Sequence, residues 1–256
     1  MIKTEIGFTT IDKITVRGLD LSNDIIGKFD FIDMIFHTTL VRLPEAREKA
    51  MVNAILVTTA DHGITPSALA ARLTYAGAPE ALQGAVAAGL LGAGNVFLGT
   101  MQNAAEMLRE GAQELADDAS GEAVHDVARN LIRRYREARR PIFGLGHPIH
   151  IHGDPRVPAL RELSRRHGYY GKHWRLMDAI GEVFGEEKGK SLPLNAVAAI
   201  GAMIAELALD PLMARGLAIV GRSAGLLAHV VEEKQAPIAS KAWLHVLSAD
   251  SRNELP

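Results

Sequence analysis

Three histidines, His147, His150 and His152, lie among the residues Pro141 to Arg156 with three glycines, three prolines, Asp154 and Arg156. A plain connection between helices has no need for that density of titratable side chains and special backbone, so chemistry is expected here. Gly144 and Gly146 let backbone approach a ligand and leave amides free to donate, which makes His147 the best-placed acid or base of the three. As metal ligands, the His-x2-His-x-His spacing lacks a clear fourth donor, and no metal is expected. For His150 and His152 the competing reading is that of solvated loop residues.

The elements that must position this stretch are read from punctuation and periodicity. Residues 1–20 are rich in Thr, Ile and Val; Ile11 to Arg17 reads as a strand, paired in a hairpin with the segment before it. After Gly18 the pattern is helical. Ser22-Asn23 offers a cap for a short helix ending at Gly27, Asp30 caps a second, and Pro44 stops it. Helices are then expected from Glu45 to the Asp61-His62-Gly63 turn, over 66–76, from Pro79 to residue 92, and over 100–119 and 121–138. Beyond the histidine stretch they are expected near 157–167, near 172–185, from Leu192 to Leu207 and from Met213 to Glu233, with a frayed tail at 245–256.

Gly84, Gly89, Gly92, Gly94 and Gly99 interrupt the fifth of these and its exit. Each interior Gly costs a helix roughly 0.5–1 kcal/mol relative to Ala, so a second helix in close approach, within or between subunits, is expected to compensate. Arg133, Arg134, Arg136, Arg139 and Arg140 crowd one helix end, either as a solvated face favoured by the dipole or as a phosphate contact.

At 256 residues the chain is read as one compact domain, 1–256. The 28 Lys+Arg against 30 Asp+Glu give no global field for nucleic acid or an anionic membrane, which favours a small-molecule partner. Absence of cysteine removes thiolate metal sites and Cys nucleophiles and fits a reducing compartment. Met1 to Glu5 holds no apolar signal core, and no run reaches the length that spans a bilayer, so a cytoplasmic protein is expected.

Phe143-Gly144-Leu145-Gly146-His147 followed by Asp154-Pro155-Arg156 resembles the Gly-x-Gly-His…Asp-Pro-Arg signature of the citrate synthase superfamily. Ala60-Asp61-His62-Gly63, with Ser67 and Ala68, is similar to the family's earlier Asp-His turn. Gly221-Arg222-Ser223-Ala224-Gly225, continuing to His229, is similar to its late Ser-Arg-x-x-Gly helix. Order and spacing cover residues 15 to 235, and the chain looks most like citryl-CoA lyases and the lyase module of ATP-citrate lyase.

The resemblance implies an all-α, citrate synthase-like multi-helical fold with a short N-terminal β-hairpin, assembled as a homodimer or higher homo-oligomer. It implies a carbon–carbon lyase that cleaves a 3-hydroxy-3-carboxyacyl-CoA such as citryl-CoA to acetyl-CoA and oxaloacetate, with coenzyme A entering only as part of the substrate and no permanent cofactor. His147 would take the hydroxyl proton, and His62, Arg156 and Arg222 would hold the carboxylates. The backbone of Ile142 to Pro148, with Phe143, Gly144, Leu145 and Gly146 at its centre, would border the adenine end of CoA.

Three positions depart from the family pattern. Phe97 stands where synthases carry a carbonyl-polarising His, an aromatic that lyase-type members share. In the stretch aligned with Asn-Val-Asp-Gly, Asn195 is kept but the catalytic Asp becomes Val197, and no carboxylate lies between Lys190 and Glu206. Lys241 falls near the place of an Arg that would reach the partner subunit's site. A Val neither holds nor delivers a proton, so His150 and His152 become auxiliary candidates. Two alternatives accompany the lyase reading: a superfamily enzyme acting on a different acyl-CoA by Asp-independent retro-aldol chemistry, and a non-catalytic CoA-ester-binding protein.

Overall fold

The computed structural model describes residues 2–189 and 192–254, in two compact units, 1–54 and 55–256. In the first unit the apolar and β-branched N-terminal residues form three short strands, β1 (Gly7–Thr9), β2 (Ile14–Val16) and β3 (Leu19–Asp20), antiparallel in that order. Gly7 pairs with Val16, and Val16 with Leu19. The expected single strand from Ile11 is shorter, because residues 10–13 make the turn that joins β1 to β2. Asp20, rather than Ser22 or Asn23, caps the following single π-turn, Leu21–Ile25.

Helix α1 (Phe31–Leu40) starts with a reciprocal capping box between Asp30 and Asp33. Its His37 Nε2 lies 3.0 Å from the Val16 carbonyl, and Arg17 Nε donates to the Thr38 carbonyl at 3.0 Å, which joins sheet to helix. Helix α2 (Ala46–Ala60) follows Pro44.

In the second unit the chain is helical except for connections: α3 (Pro66–Gly77), α4 (Leu82–Leu91), a π-turn (Gly94–Leu98), α5 (Gly99–Ala112), α6 (Gly121–Glu137), α7 (Arg156–Arg166), α8 (Lys172–Lys188), α9 (Ala196–Glu206), α10 (Leu212–Gln235) and α11 (Ala239–Ala249). Its core is built from Met107 and Leu108 of α5, Leu131 and Ile132 of α6, Trp174 and Met177 of α8, and Ile200 and Met203 of α9, all buried. Helix α9 begins at Ala196 instead of Leu192, since Leu194 forms an isolated bridge with Leu145 and Asn195 supplies the cap. Residues 245–249, expected to be frayed, are the last turn of α11. Lys190 and Ser191 lie outside the described residues, as do Met1, Leu255 and Pro256.

Close packing does compensate a glycine of α4: a Cβ on Gly89 would come within 2.7 Å of the Leu226 side chain of α10 and 3.0 Å of the Ser67 carbonyl of α3. The same device seats α10 on the end of α2, where a Cβ at Gly221 or Gly225 would collide with the carbonyl oxygens of Leu56 and Ala60. Among the described residues no single helix is long and apolar enough to cross a membrane; α4 and the run Gly94–Ala112 reach that length only as a pair bent by 61°.

Candidate active site

His62 sits in the turn between α2 and α3. Asp61 Oδ2 accepts from the Gly63 amide at 2.9 Å, Gly63 takes a φ of +70°, and Thr65 caps α3 ahead of Pro66. The turn is further tied to α10: His229 Nδ1 accepts from Arg72 Nε at 3.0 Å, so its neutral ring carries the proton on Nε2 and donates to Asp61 Oδ1 at 2.8 Å. Arg72 in turn donates to Glu233 at 2.9 Å and to Glu232, and Glu233 accepts the Ile238 and Ala239 amides that open α11.

The histidine loop is bound to the first turn of α9. Asn195 donates from its amide to the Gly144 carbonyl at 3.0 Å and from Nδ2 to the Gly146 carbonyl at 2.5 Å. Its Oδ1 accepts the Val197 and Ala198 amides at 2.9 and 3.3 Å. Gly144 has φ +92°, and a Cβ there would lie 2.6 Å from that of Ala198. The loop therefore approaches α9 as closely as backbone permits. The Gly146 amide, expected to be free for a ligand, donates instead to the Pro193 carbonyl at 2.8 Å. Val197 is half-buried in this same turn.

Fold and loop together bring His62, His147 and His150 into one cluster. Their rings lie 4.4 to 5.5 Å apart, and one nitrogen from each falls within 4.8 Å of the others. His62 Nε2 and His150 Nε2 are 3.1 Å apart. His147 Nδ1 accepts two backbone amides, from Ile149 at 3.1 Å and His150 at 3.0 Å. The neutral His147 ring thus carries its proton on Nε2, which makes it a hydrogen-bond donor rather than the base expected from the resemblance. Burial pushes the pKa of His147 and of His62 below the ordinary value, and charge on Arg156 and His150 adds to it in both; His147 adds to it further for His62.

A cation suits this cluster poorly. A metal-bound His normally donates from its other nitrogen, whereas His147 Nδ1 accepts from two amides, and the positive charge of Arg156 bears on both His62 and His147.

Two arginines stand by the cluster in different states. Burial opposes ionisation of Asp154, but hydrogen bonds from the Arg156 side chain and amide and from the Ala196 amide override it and hold the carboxyl at about 2. Arg156 Nε and Nη2 reach the two Asp154 oxygens at 2.9 and 2.7 Å, which leaves Nη1 outside the pair. Arg222, on α10, is 8% exposed, and its buried Nη1 has no hydrogen-bond partner among the described residues. Burial penalises its charge, Asp61 supports it and Arg156 opposes it.

Other expected residues lie elsewhere. His152 and Lys241 are exposed, and Phe97 is 49% exposed in the π-turn before α5. Of the arginines near the end of α6, Arg134, Arg136 and Arg140 meet Glu110, Glu114 or Glu187, which favours the solvated-face reading. Sequence reasoning missed the Asp61–His229–Arg72–Glu233 chain. Its one available signal was that His229 and Glu233 stand four apart on a helix, as neighbours on one face.

The family description "Citrate synthase, C-terminal domain" matches residues 20–241, and the chain belongs to the citrate synthase family. Within it, the chain is 34% identical to the citryl-CoA lyase of Hydrogenobacter thermophilus, with a TM-score of 0.79 over 92% of this chain and 88% of that one. The ATP citrate lyase of Methanosaeta concilii, a D541A mutant solved with (3S)-citryl-CoA, shares the fold at TM-score 0.74 and 21% identity, over 91% of this chain and 39% of that one. Citrate synthase 2 of Bacillus subtilis is 29% identical over 195 residues, covering 74% of this chain and 48% of its own length. The chain spans about half the length of the curated relatives it matches.

Proposed function

We propose that this chain is a carbon–carbon lyase of the citryl-CoA lyase type, cleaving a 3-hydroxy-3-carboxyacyl-CoA, with citryl-CoA giving acetyl-CoA and oxaloacetate. The observation that carries the reading is the Arg222 guanidinium, buried with a nitrogen that finds no partner among the described residues, close to Arg156 and the His62–His147–His150 cluster. A desolvated guanidinium needs an anion, and its planar fork fits a carboxylate. A substrate bearing carboxylates supplies what the chain withholds.

In this reading Arg222, the remaining nitrogen of Arg156 and His62 hold the carboxylates. His147 directs Nε2–H at the hydroxyl oxygen and stabilises the alkoxide that forms as its proton leaves. Collapse of the alkoxide to a ketone breaks the C–C bond and leaves the enolate of acetyl-CoA, which must then be protonated. The stretch Phe143 to Gly146 borders CoA, with Asn195 fixing its shape. Phe97 occupies the place of the synthases' carbonyl-polarising histidine, which favours cleavage over synthesis.

Val197, where the family's catalytic Asp is expected, favours a second reading, retro-aldol cleavage of a different acyl-CoA without that Asp. Mixing the protein with citryl-CoA and following oxaloacetate separates the two. Release well above a His147→Ala control is expected; release at the control level rejects citryl-CoA as substrate, and other 3-hydroxyacyl-CoA thioesters then become the test. Thermal stabilisation by CoA esters without turnover would mark a binding protein instead.

The reading extends to assembly and to domain organisation. A homodimer is supported by large exposed apolar side chains such as Leu91, Val96, Leu227 and Trp243, and sedimentation at micromolar concentration is expected to give the dimer mass. The chain is taken to act as a single domain, which predicts one cooperative unfolding transition by calorimetry.

A further inference from the structure

Cleavage of a 3-hydroxyacyl thioester moves one proton from an oxygen to a carbon, and the two groups first considered for that work are unsuited to it. Val197 has no proton to exchange. His147 spends its Nδ1 lone pair on two backbone amides, so in the neutral ring Nε2 carries hydrogen and has no lone pair to offer. What is left in the cluster is His62 and His150, whose Nε2 atoms face each other at 3.1 Å. Two imidazole nitrogens at that distance share one proton: one ring donates and the other presents its lone pair. Both members of an acid–base couple are therefore present in a single contact.

The two rings belong to different walls. The His62 turn is fastened to α10, the helix of Arg222, through Asp61 and His229. The loop of His150 is fastened to the first turn of α9, where Val197 stands, through Gly146 and Asn195. His62 is thus placed on the carboxylate side and His150 on the side where the proton is missing.

We infer that His150 is the acid–base residue of this chain, working as one proton-sharing couple with His62; the inference rests on the citryl-CoA lyase reading. With substrate in place the contact opens: His62, which meets a carboxylate through Nδ1–H, takes the hydroxyl proton on its freed Nε2 lone pair, and the alkoxide collapses to the ketone. The electrons of the broken C–C bond pass to the α-carbon and thioester as an enolate, and His150 gives its Nε2 proton to that carbon. The two Nε2 atoms hold one proton between them before the reaction and one after it, moved from His150 to His62; its return across the contact resets the couple, and no co-reactant is consumed.

The test uses the full chain and two assays. The first is citryl-CoA cleavage by the wild type. The second is exchange of the methyl protons of acetyl-CoA with D2O in the presence of malate, which offers the dicarboxylate without a ketone to attack. For His150→Gln, exchange and cleavage are both expected to fall about 10²- to 10⁴-fold while melting temperature is kept. In His150→Ala, added imidazole is expected to restore part of the exchange, a rescue that a merely structural role would not give. His150→Asn serves if either variant fails to fold.

A wild type that cleaves citryl-CoA while His150→Gln exchanges and cleaves at the same rate overturns the role of His150 and leaves the lyase reading standing. Exchange that depends on His150 in a wild type that does not cleave citryl-CoA rejects that substrate and upholds the couple. Neither cleavage nor exchange by the wild type brings down both.

Discussion

Arg72, packed against α10 from α3, and Arg222, on α10 itself, are two buried arginines, and they are treated in opposite ways. Arg72, 1% exposed, has His229 on Nε, Glu233 on Nη1 and Glu232 on Nη2. Arg222, 8% exposed, keeps a buried nitrogen without a partner among the described residues. Removing a guanidinium from water costs several kcal/mol unless charge and hydrogen bonds are returned to it. The fold returns them in full at Arg72 and only in part at Arg222. One arginine is architecture; on the proposed reading, the other meets an anion that comes from outside. Burial and residue type are the same, so the partners alone make the distinction.

That contrast can be broken by exchanging each arginine for a side chain of similar length. Arg222→Met is expected to lower kcat/KM for cleavage by about 2–5 kcal/mol, roughly 30-fold to several thousand-fold, with the melting temperature unchanged or raised because an uncompensated buried charge is gone. Steady-state kinetics and thermal melts on one preparation decide it; a folded variant with wild-type turnover would make Arg222 as structural as Arg72. Arg72→Met should lose about 3–5 kcal/mol of folding stability in urea, since Glu233 and His229 are left buried without their cation. Glu232, largely exposed, contributes little of this. A variant as stable as the wild type would contradict the assignment.

Val197→Asp sharpens the comparison from the catalytic side. Restoring a carboxylate beside the loop is expected to raise citryl-CoA cleavage by about 10- to 100-fold. Unchanged activity in a folded variant would tell against the equivalence of Val197 with the family's Asp.

Acid should separate the two regions more gently. The pKa values of His62 and His147 are depressed in the folded state, so the stability they contribute is whole above about 6.5, their unfolded value, and is lost as pH falls through the folded ones. Glu233 and Asp61 are also depressed, from ordinary carboxylate values, so the Arg72 region keeps its contribution until pH falls below about 4.5. Activity is expected to fall about tenfold per pH unit once pH drops through the folded values of His62 and His147, which lie below the ordinary one, ahead of the main loss of the urea midpoint. Activity that holds level until the urea midpoint itself falls would remove the histidines from the acid limb.

The sequence made the helices legible where local chemistry sets their ends. Pro66 at the start of α3 and the Asp30 cap of α1 act within a turn of their own positions. The start of α9 was not legible in the apolar run from Leu192, because the cap on Asn195 is joined to a bridge with Leu145, far back in the chain. Arg156 with Asp154 could be read as a pair from its spacing. His62 with His150, 88 residues apart, and Arg72 with Glu233, 161 apart, could not, since no local pattern encodes a contact that only the packed helices create. The resemblance placed His62 and His147 in one site; it could not say which nitrogen of His147 bears the proton, which two loop amides decide.

Those two amides have a consequence for the energetics of the reaction. The His147 ring cannot flip or change tautomer without giving up both bonds. On the proposed reading, the dipole that meets the developing negative oxygen is therefore oriented before any ligand arrives. Water in the same place would have to turn toward the new charge, and much of the barrier in solution lies in that turning; here the reorganisation was completed when the chain folded.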